Sequence, residues 1–343
     1  MYMSSVLGID IGQNTVKIAC LSNDTSKIVL EAIGESKTSQ ADNKEIDRDK
    51  VLAETGKVIK NLLNDLKIKN KQAVVSLPEN EVISRLVRLP PLKESEIMDA
   101  LRFEAETFVP FPLDQVSIDY EIIEKDDAGR LIIFVIAAKN DLINSYLKLF
   151  KSIGIDLLAL ESPAIALRRV LKLGMPMVER MVVVDIGEKY SDVFSINKNN
   201  VYFSRSLSVG GESLTRAISL NLSLDMASAE EYKKAYGMKE AELEGKIRAA
   251  IMPVFNDISE EIRKTLALFN EDIGKPADLL VLTGGGANLP GMAEELTKLL
   301  GIEVQVLQPF VNIDTTKAQV NYNLNNEGCK FSLSIGLALR GLV

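Results

Sequence analysis

The chain has 343 residues, a net charge of −8 with no large basic block, and no histidine. That length exceeds what one compact core usually fills, so two or more domains are expected. The acidic balance argues against nucleic acid as the main partner, and the missing histidine excludes histidine triads, histidine metal sites and histidine proton shuttles.

The opening run Val6–Ile11 is apolar and ends in Asp-Ile-Gly, the pattern of a buried strand closed by a tight turn. Thr15–Leu21 and Ile28–Ala32 continue with β-type residues, and polar Ser36–Glu45 reads as a loop. Val51, Thr55, Val58, Ile59, Leu62, Leu63 and Leu66 recur at helical spacing, and Ala73–Leu77 is a further buried strand. After Pro78 the character changes. Val82–Leu89 predicts a strand stopped by Pro90-Pro91, and Ile97, Leu101, Ala105 and Phe108 an amphipathic helix ended by Pro110 and Pro112. Val116–Ile123 and Leu131–Ala138 predict two strands around an Asp126–Gly129 turn, followed by a helix capped by Asn140-Asp141 and carrying Leu142, Tyr146, Leu149 and Phe150 on one face. This block is a small α+β insert. Ala164–Leu173 predicts a helix closed by Gly174.

The second half repeats the first. Met181–Gly187 again runs apolar into Asp-Ile-Gly, and Asp192–Ile196 and Val201–Ser206 are its hairpin strands. Helices follow after Gly210-Gly211, across Ala227–Tyr236 and across Lys246–Asn270. Leu279–Thr283 is a strand ending in three glycines, Met292–Leu300 a helix, Val311–Lys330 a polar, Asn-rich stretch expected to be a mobile loop, and Phe331–Leu342 a closing helix. The shared grammar points to an internally duplicated α/β unit. Cys20 and Cys329 lie far apart without metal-like spacing. With no signal peptide, this fits a reducing cytoplasm. No apolar run is long enough to span a bilayer.

The turns carry the chemistry. In Asp10–Lys17 the backbone N–H groups of Gly12, Gln13, Asn14 and Thr15 suit phosphate oxygens, Thr15 adds a hydroxyl and Lys17 a cation. Asp10 suits Mg²⁺ held through water. Asp185–Asp192 repeats the arrangement, with Gly187 at the turn and Asp185 as a second water-mediated magnesium contact. Taken alone, each turn reads as well as a plain hairpin; their coincidence favours a nucleotide gripped from two sides. Gly210-Gly211 precedes a helix, whose N-terminus favours an anion, although taken alone a simple loop-to-helix joint explains it better. Gly284, Gly285 and Gly286, leading to Asn288, offer bare backbone for a purine or ribose. In the nucleotide context Glu230 is a candidate for the ribose hydroxyls, and Lys233 or Lys234 for the base; alone, that helix is a solvated face.

Asp10–Lys17, Asp185–Asp192, Gly210-Gly211 and Gly284–Gly291 resemble, in order and spacing, the phosphate-1, phosphate-2 and adenosine elements of the actin/Hsp70/sugar-kinase superfamily, across nearly the whole chain. Ala164–Leu173 and Ser334–Leu339 resemble its two connecting helices. Within the insert, Leu86–Pro90, Phe103–Glu106, Phe108–Pro112 and Asp119-Tyr120 resemble the PilM family of type IV pilus assembly proteins, with Glu104–Tyr120 the most specific stretch. The resemblance implies an α/β actin-like ATPase fold of duplicated ribonuclease H-like halves with an inserted subdomain 1C of the kind in the division protein FtsA. Its division would be 1A at 1–76 (completed by 157–178 and 330–343), 1C at 77–156, 2A at 179–206 (completed by 257–329) and 2B at 207–256. It also implies ATP and Mg²⁺ as ligands. The implied partner is the short cytoplasmic N-terminal tail of a PilN-like inner-membrane protein, seated between 1A and 1C, with Leu89, Phe103, Phe108 and Phe111 as candidate lining. Each of those four serves equally as core of the insert. Contacts with other platform proteins or motor ATPases, self-association and a location at the inner face of the cytoplasmic membrane follow from the same resemblance.

Catalytic relatives place a Gln or Glu on the first connecting helix to position the attacking water. Here Leu160–Ala166 offers only Glu161 and Ser162, so Glu161 is the candidate and no catalytic residue is assigned. The expectation is ATP held tightly and split slowly. The rivals are an FtsA-like division protein, a related secretion-system component and a small-molecule kinase of the same fold. The first usually ends in an amphipathic membrane helix, whereas this chain stops at Gly341-Leu342-Val343; the kinase would need a catalytic Asp and a substrate pocket between the halves, and the insert and the lack of a candidate base in the sequence argue against it.

Overall fold

The computed structural model describes residues 5–24, 27–38, 48–318, 320 and 322–342. In chain order the first half holds β1 (Ser5–Ile11), β2 (Thr15–Asp24), β3 (Lys27–Lys37), α1 (Arg48–Asp65) and β4 (Gln72–Ser76). The insert follows as β5 (Val82–Leu89), α2 (Glu94–Ala105), β6 (Val116–Lys125) and β7 (Leu131–Lys139), and the chain returns through α3 (Asn140–Ile153), β8 (Asp156–Glu161) and α4 (Pro163–Gly174). The second half holds β9 (Arg180–Ile186), β10 (Ser191–Asn197), β11 (Asn200–Leu207), α5 (Gly211–Leu222), α6 (Met226–Tyr236), α7 (Lys246–Ile273), β12 (Leu279–Thr283), α8 (Met292–Leu300) and β13 (Val304–Val306). β14 (Ile313–Asp314), α9 (Leu324–Glu327) and α10 (Ser332–Leu339) bring the chain back.

The duplication is visible in the sheets. One runs β14-β3-β2-β1-β4-β8 and the other β11-β10-β9-β12-β13. Each begins with an antiparallel meander whose first strand then pairs in parallel with the strand after the crossover, β1 with β4 and β9 with β12. Because both faces of these sheets are covered, their central strands β1, β4, β9 and β12 are near-continuous apolar runs rather than alternating ones. In β9, Val182 and Val184 face the core under α5, α7 and α8, while Met181 and Val183 face the layer between the halves.

That middle layer is built from α4 and α10. Every residue of α10 is buried, the pattern of a helix with no solvent face. Close packing demands glycine at two points. A Cβ at Gly336 would collide with the carbonyl of Ala166 in α4, and one at Gly8 with the carbonyl of Ser334. α3 lies within 77–156, yet its buried Leu142, Tyr146, Leu149 and Phe150 join the core of β1 and α1. The insert proper is the antiparallel sheet β5-β7-β6, with α2 on one face over Val87, Ile133 and Val135. Its other face turns Phe134 into the middle layer.

Four sequence expectations change. Phe108 lies in the turn after α2, because the helix stops at Ala105. Asn140 does not cap α3: Lys139 holds that position, and the Asn140 amide instead donates to the Asp114 carbonyl and accepts from the Ser117 hydroxyl. Within Val311–Lys330, β14 pairs with β3 and α9 is helical, so the described part of that stretch is tied down. Ser36 and Lys37 extend β3, and residues 39–45 of the expected loop lie outside the described residues.

Candidate functional site

The ends of β1 and β9 meet across one cleft of about 1440 Å³. Each Asp-Ile-Gly forms the same closed turn, with the Gly12 N–H donating to the Thr15 carbonyl (2.9 Å) and the Gly187 N–H to that of Tyr190 (3.0 Å). A Cβ on either glycine would press against that carbonyl, which accounts for glycine at both places. Asp10, Gly12, Gln13, Asn14, Thr15 and Lys17 line one wall; Asp185 and Gly187 face them. Gly211, Glu230, Lys233, Lys234, Gly284, Gly285, Gly286 and Asn288 also line it.

Several of these residues have other duties. Gly210 stands behind the second turn and does not line the cleft: a Cβ there would press on the Glu188 and Gly187 carbonyls, and the next two N–H groups, of Gly211 and Glu212, donate to those same carbonyls at 2.9 and 2.8 Å. Gly284, at φ +81°, and Gly286 are needed because side chains there would strike Asp185 and Ile186. At Gly285, by contrast, nothing lies within 4 Å of where a Cβ would be, leaving open space on the cleft side. Glu230 accepts from Thr215 (2.5 Å), Lys233 (2.6 Å) and Lys234 (3.2 Å), and Lys233 donates to the Gly211 carbonyl (3.0 Å), so the pair also clamps α6 to the start of α5. Cys329, buried and free, donates to the Asn288 side chain (3.1 Å).

The electrostatics are lopsided. Asp10 pairs in register with Lys17, whose Nζ is 3.8 Å away, whereas Asp185 pairs in register with another acid, Asp192. Burial raises the Asp10 carboxyl, with Lys17 opposing. Burial likewise pushes Asp185 up to about 7, reinforced by Asp192 and then Asp10. Asp192 also rises to about 7, by burial and then by the charge of Glu79. Among the described residues no three Asp, Glu or Cys side chains converge closely enough to grip a bare metal ion. The donor set suits Mg²⁺, which keeps several waters and takes only one or two carboxylates directly.

Glu161 is not at the cleft. It is buried, held in a two-pronged pair by Arg169 (both at 2.7 Å) and also bonded by Arg340. Its position at the end of β8, beneath the crossing of α4 and α10, makes it a structural anion. Of the partner candidates, Leu89 is buried in the insert core. Phe108 and Phe111 are half-buried, with Arg85 5.2 Å and Lys139 3.8 Å from their respective rings. Phe103 stands 73% exposed on α2.

Residues the sequence did not single out also shape the cleft. Glu79 lines it from the turn after β4 and bonds Ser204 of β11 in the other half. Lys330 lines the rim, paired with Glu35 (2.7 Å) and Glu327 (3.0 Å). Only the row of cross-strand partners Asp10–Lys17–Glu35 gave any sign of the latter.

The duplicated sheets, the two crossing helices between them and the cleft bounded by paired turns define an actin-like ATPase fold. Solved structures agree. MreB5 of Spiroplasma citri bound to AMPPNP is similar at a TM-score of 0.54 and 12% identity, covering 97% of this chain and 95% of that one. The ethanolamine utilization protein EutJ of Carboxydothermus hydrogenoformans is similar at 0.60 and 14%, covering 99% and 90%. A PilM-PilN type IV pilus biogenesis complex is similar at 0.84 and 25%, covering 100% of both chains. The model of the type IV pilus assembly protein PilM family matches residues 8–342. The chain belongs to that family.

Proposed function

We propose that this protein is a nucleotide-holding scaffold of the type IV pilus inner-membrane assembly platform. In this reading it binds ATP with Mg²⁺ between its halves and takes the short cytoplasmic N-terminal tail of a PilN-like membrane protein at its insert. The observation that carries the nucleotide part is the two closed Asp-Ile-Gly turns facing each other across one cleft, with the open cradle at Gly285 beside them. Gly12–Thr15 and Gly187 would hold the phosphates, Asp10 and Asp185 the metal's waters, and Gly285, Lys234 and Asn288 the nucleoside. The likeness to a structure of a PilM-PilN complex supports the partner part. Among the described residues no helix is long and apolar enough to cross a membrane. Attachment at the inner face of the membrane through the partner is part of the same reading and rests on the likeness to the PilM-PilN complex. The insert region 77–156 would act as subdomain 1C between 1A and the second half, 2A and 2B.

Nucleotide at roughly 100 times its dissociation constant stabilises a fold by about 2.7 kcal/mol, so even a slowly split ATP sets the state of the scaffold. Asp10→Ala and Asp185→Ala should each weaken magnesium-dependent ATP binding at least tenfold in equilibrium titration. Unchanged affinity in both variants contradicts the site, and rapid multiple-turnover phosphate release contradicts the holding role.

A further inference from the structure

Glu79 is an acid in an unusual place. It follows Pro78 in a short 3₁₀ turn between β4 and the insert, and it is 5% exposed although it lines the cleft. One carboxylate oxygen accepts from the Ser204 hydroxyl on β11. The other, Oε2, is buried without a well-formed hydrogen bond, as is the Ser162 hydroxyl, which lies near enough to favour the ionised carboxylate. Asp192, across from it on β10, has a buried Oδ1 in the same condition, with the likewise unpartnered Ser206 hydroxyl beside it. The two acids are close enough that Glu79's charge is the second-largest influence raising Asp192. A buried carboxylate oxygen left without a donor costs about 1–3 kcal/mol or more, and with each serine hydroxyl supplying at most one proton, both acids keep lone pairs open to a further donor in the cleft. A phosphate oxygen cannot serve, being an acceptor. A water can donate one proton to each oxygen, and its lone pairs then point away from both acids into the cleft.

We propose that Glu79, with Asp192 beside it, holds and deprotonates the water that attacks the terminal phosphate of ATP, so that the turn at the root of the insert, and not the first connecting helix, carries hydrolysis. This rests on the nucleotide reading of the cleft. In the step, the water oxygen bonds to the terminal phosphorus. The bond from that phosphorus to the bridging oxygen breaks, and its electron pair leaves with ADP. The water proton passes to Glu79. The competing role, a purely structural bond from Glu79 to Ser204, uses the other oxygen and therefore separates experimentally.

The test uses the full-length chain in four forms: wild type, Glu79→Gln, Asp192→Asn and Ser204→Ala. Single-turnover phosphate release from ATP, equilibrium binding of a fluorescent ATP analogue and the thermal unfolding midpoint are measured on each. Loss of a general base slows a reaction by ~10²–10⁴. Glu79→Gln should therefore slow release at least about tenfold, with affinity within about threefold and the midpoint no lower than wild type. Asp192→Asn should slow release less, and Ser204→Ala least. Release in Glu79→Gln equal to wild type overturns the proposal, as does a loss of rate matched by equal losses of affinity and stability. So does a wild-type chain that binds the analogue yet releases no phosphate. A wild-type chain that fails to bind the analogue overturns the nucleotide reading as well, which distinguishes the two failures.

Discussion

Glu161→Ala tests whether the acid at the end of β8 is structural. Its carboxylate is 2% exposed and receives two 2.7 Å bonds from Arg169, itself 17% exposed, plus one from Arg340, 47% exposed. Removing one partner of a buried pair costs about 3–5 kcal/mol, because the remaining charge is stranded without solvent. Arg340 can turn to water, so only Arg169 is stranded, which places the loss near the lower end, about 3 kcal/mol. Arg169 also donates to the Gly336 carbonyl (3.3 Å), so the damage should centre on the crossing of α4 and α10. Urea unfolding followed by circular dichroism measures the loss. The double variant Glu161→Met with Arg169→Met should recover most of it, since replacing a buried ion pair by apolar groups of similar size is often neutral. Nucleotide affinity and phosphate release per folded molecule should stay within about threefold of wild type. A cost under about 1 kcal/mol for Glu161→Ala would refute a structural role for this acid. That role fails equally if hydrolysis disappears while stability is kept, which would return Glu161 to a catalytic one.

Gly336→Ala should destabilise by about 1–3 kcal/mol, since the added methyl meets the backbone of Ala166, and calorimetry reads it as a lower midpoint. Gly285→Ala should leave the midpoint unchanged yet weaken the ATP analogue severalfold by filling the open cradle; equal affinity would remove Gly285 from the site. Phe103→Ala should weaken binding of a synthetic partner tail at least fivefold without altering stability, because the ring is 73% exposed and packs no core; isothermal titration decides it. The nucleotide-free protein should lose stability as pH rises from 5 to 8. Glu79, raised to about 7 and faced by Asp192, Ser204 and Ser162, keeps its proton in the folded chain where the unfolded chain has lost it. The slope of unfolding free energy against pH is then negative, and Glu79 alone contributes up to about 3 kcal/mol between pH 4.5 and 7. Glu79→Gln should flatten that decline, and a profile rising through this window would contradict it.

The central strands of both sheets were legible because both faces are covered, so Val6–Ile9 and Met181–Val184 show as unbroken apolar runs, and the paired Asp-Ile-Gly turns mark where they end. β8 was invisible: Asp156–Glu161 is an edge strand, partly exposed, with no period of its own, and only its parallel pairing with β4 makes it a strand. β13 and β14 are three and two residues long, too short to carry a pattern. The walls of the cleft were readable from glycines. Its acid floor was not, since Glu79 in Pro-Glu-Asn looks like any solvated loop carboxylate, and its burial comes from β11, over a hundred residues away in sequence. Glu161 erred the other way: position along the chain favoured the cleft, while Arg169, two turns further along the chain, draws it into the core.

The two halves share a topology but not a charge balance, and under the proposed nucleotide reading that difference would set how the cleft takes its ligand. Across the first hairpin an acid meets a base, Asp10 with Lys17; across the second an acid meets an acid, Asp185 with Asp192. Glu79 adds a further carboxylate to the same space, and burial raises all four acids. Free ATP, a polyanion, would be repelled by whichever of these acids are ionised. A divalent cation arriving with it would favour their ionised forms and stand between them and the phosphates, so that attraction to the cation would replace that repulsion. Nucleotide affinity should therefore depend more steeply on magnesium than a site with one compensated aspartate would. Replacing Asp192 by Lys, which copies the first hairpin, should make binding less dependent on magnesium.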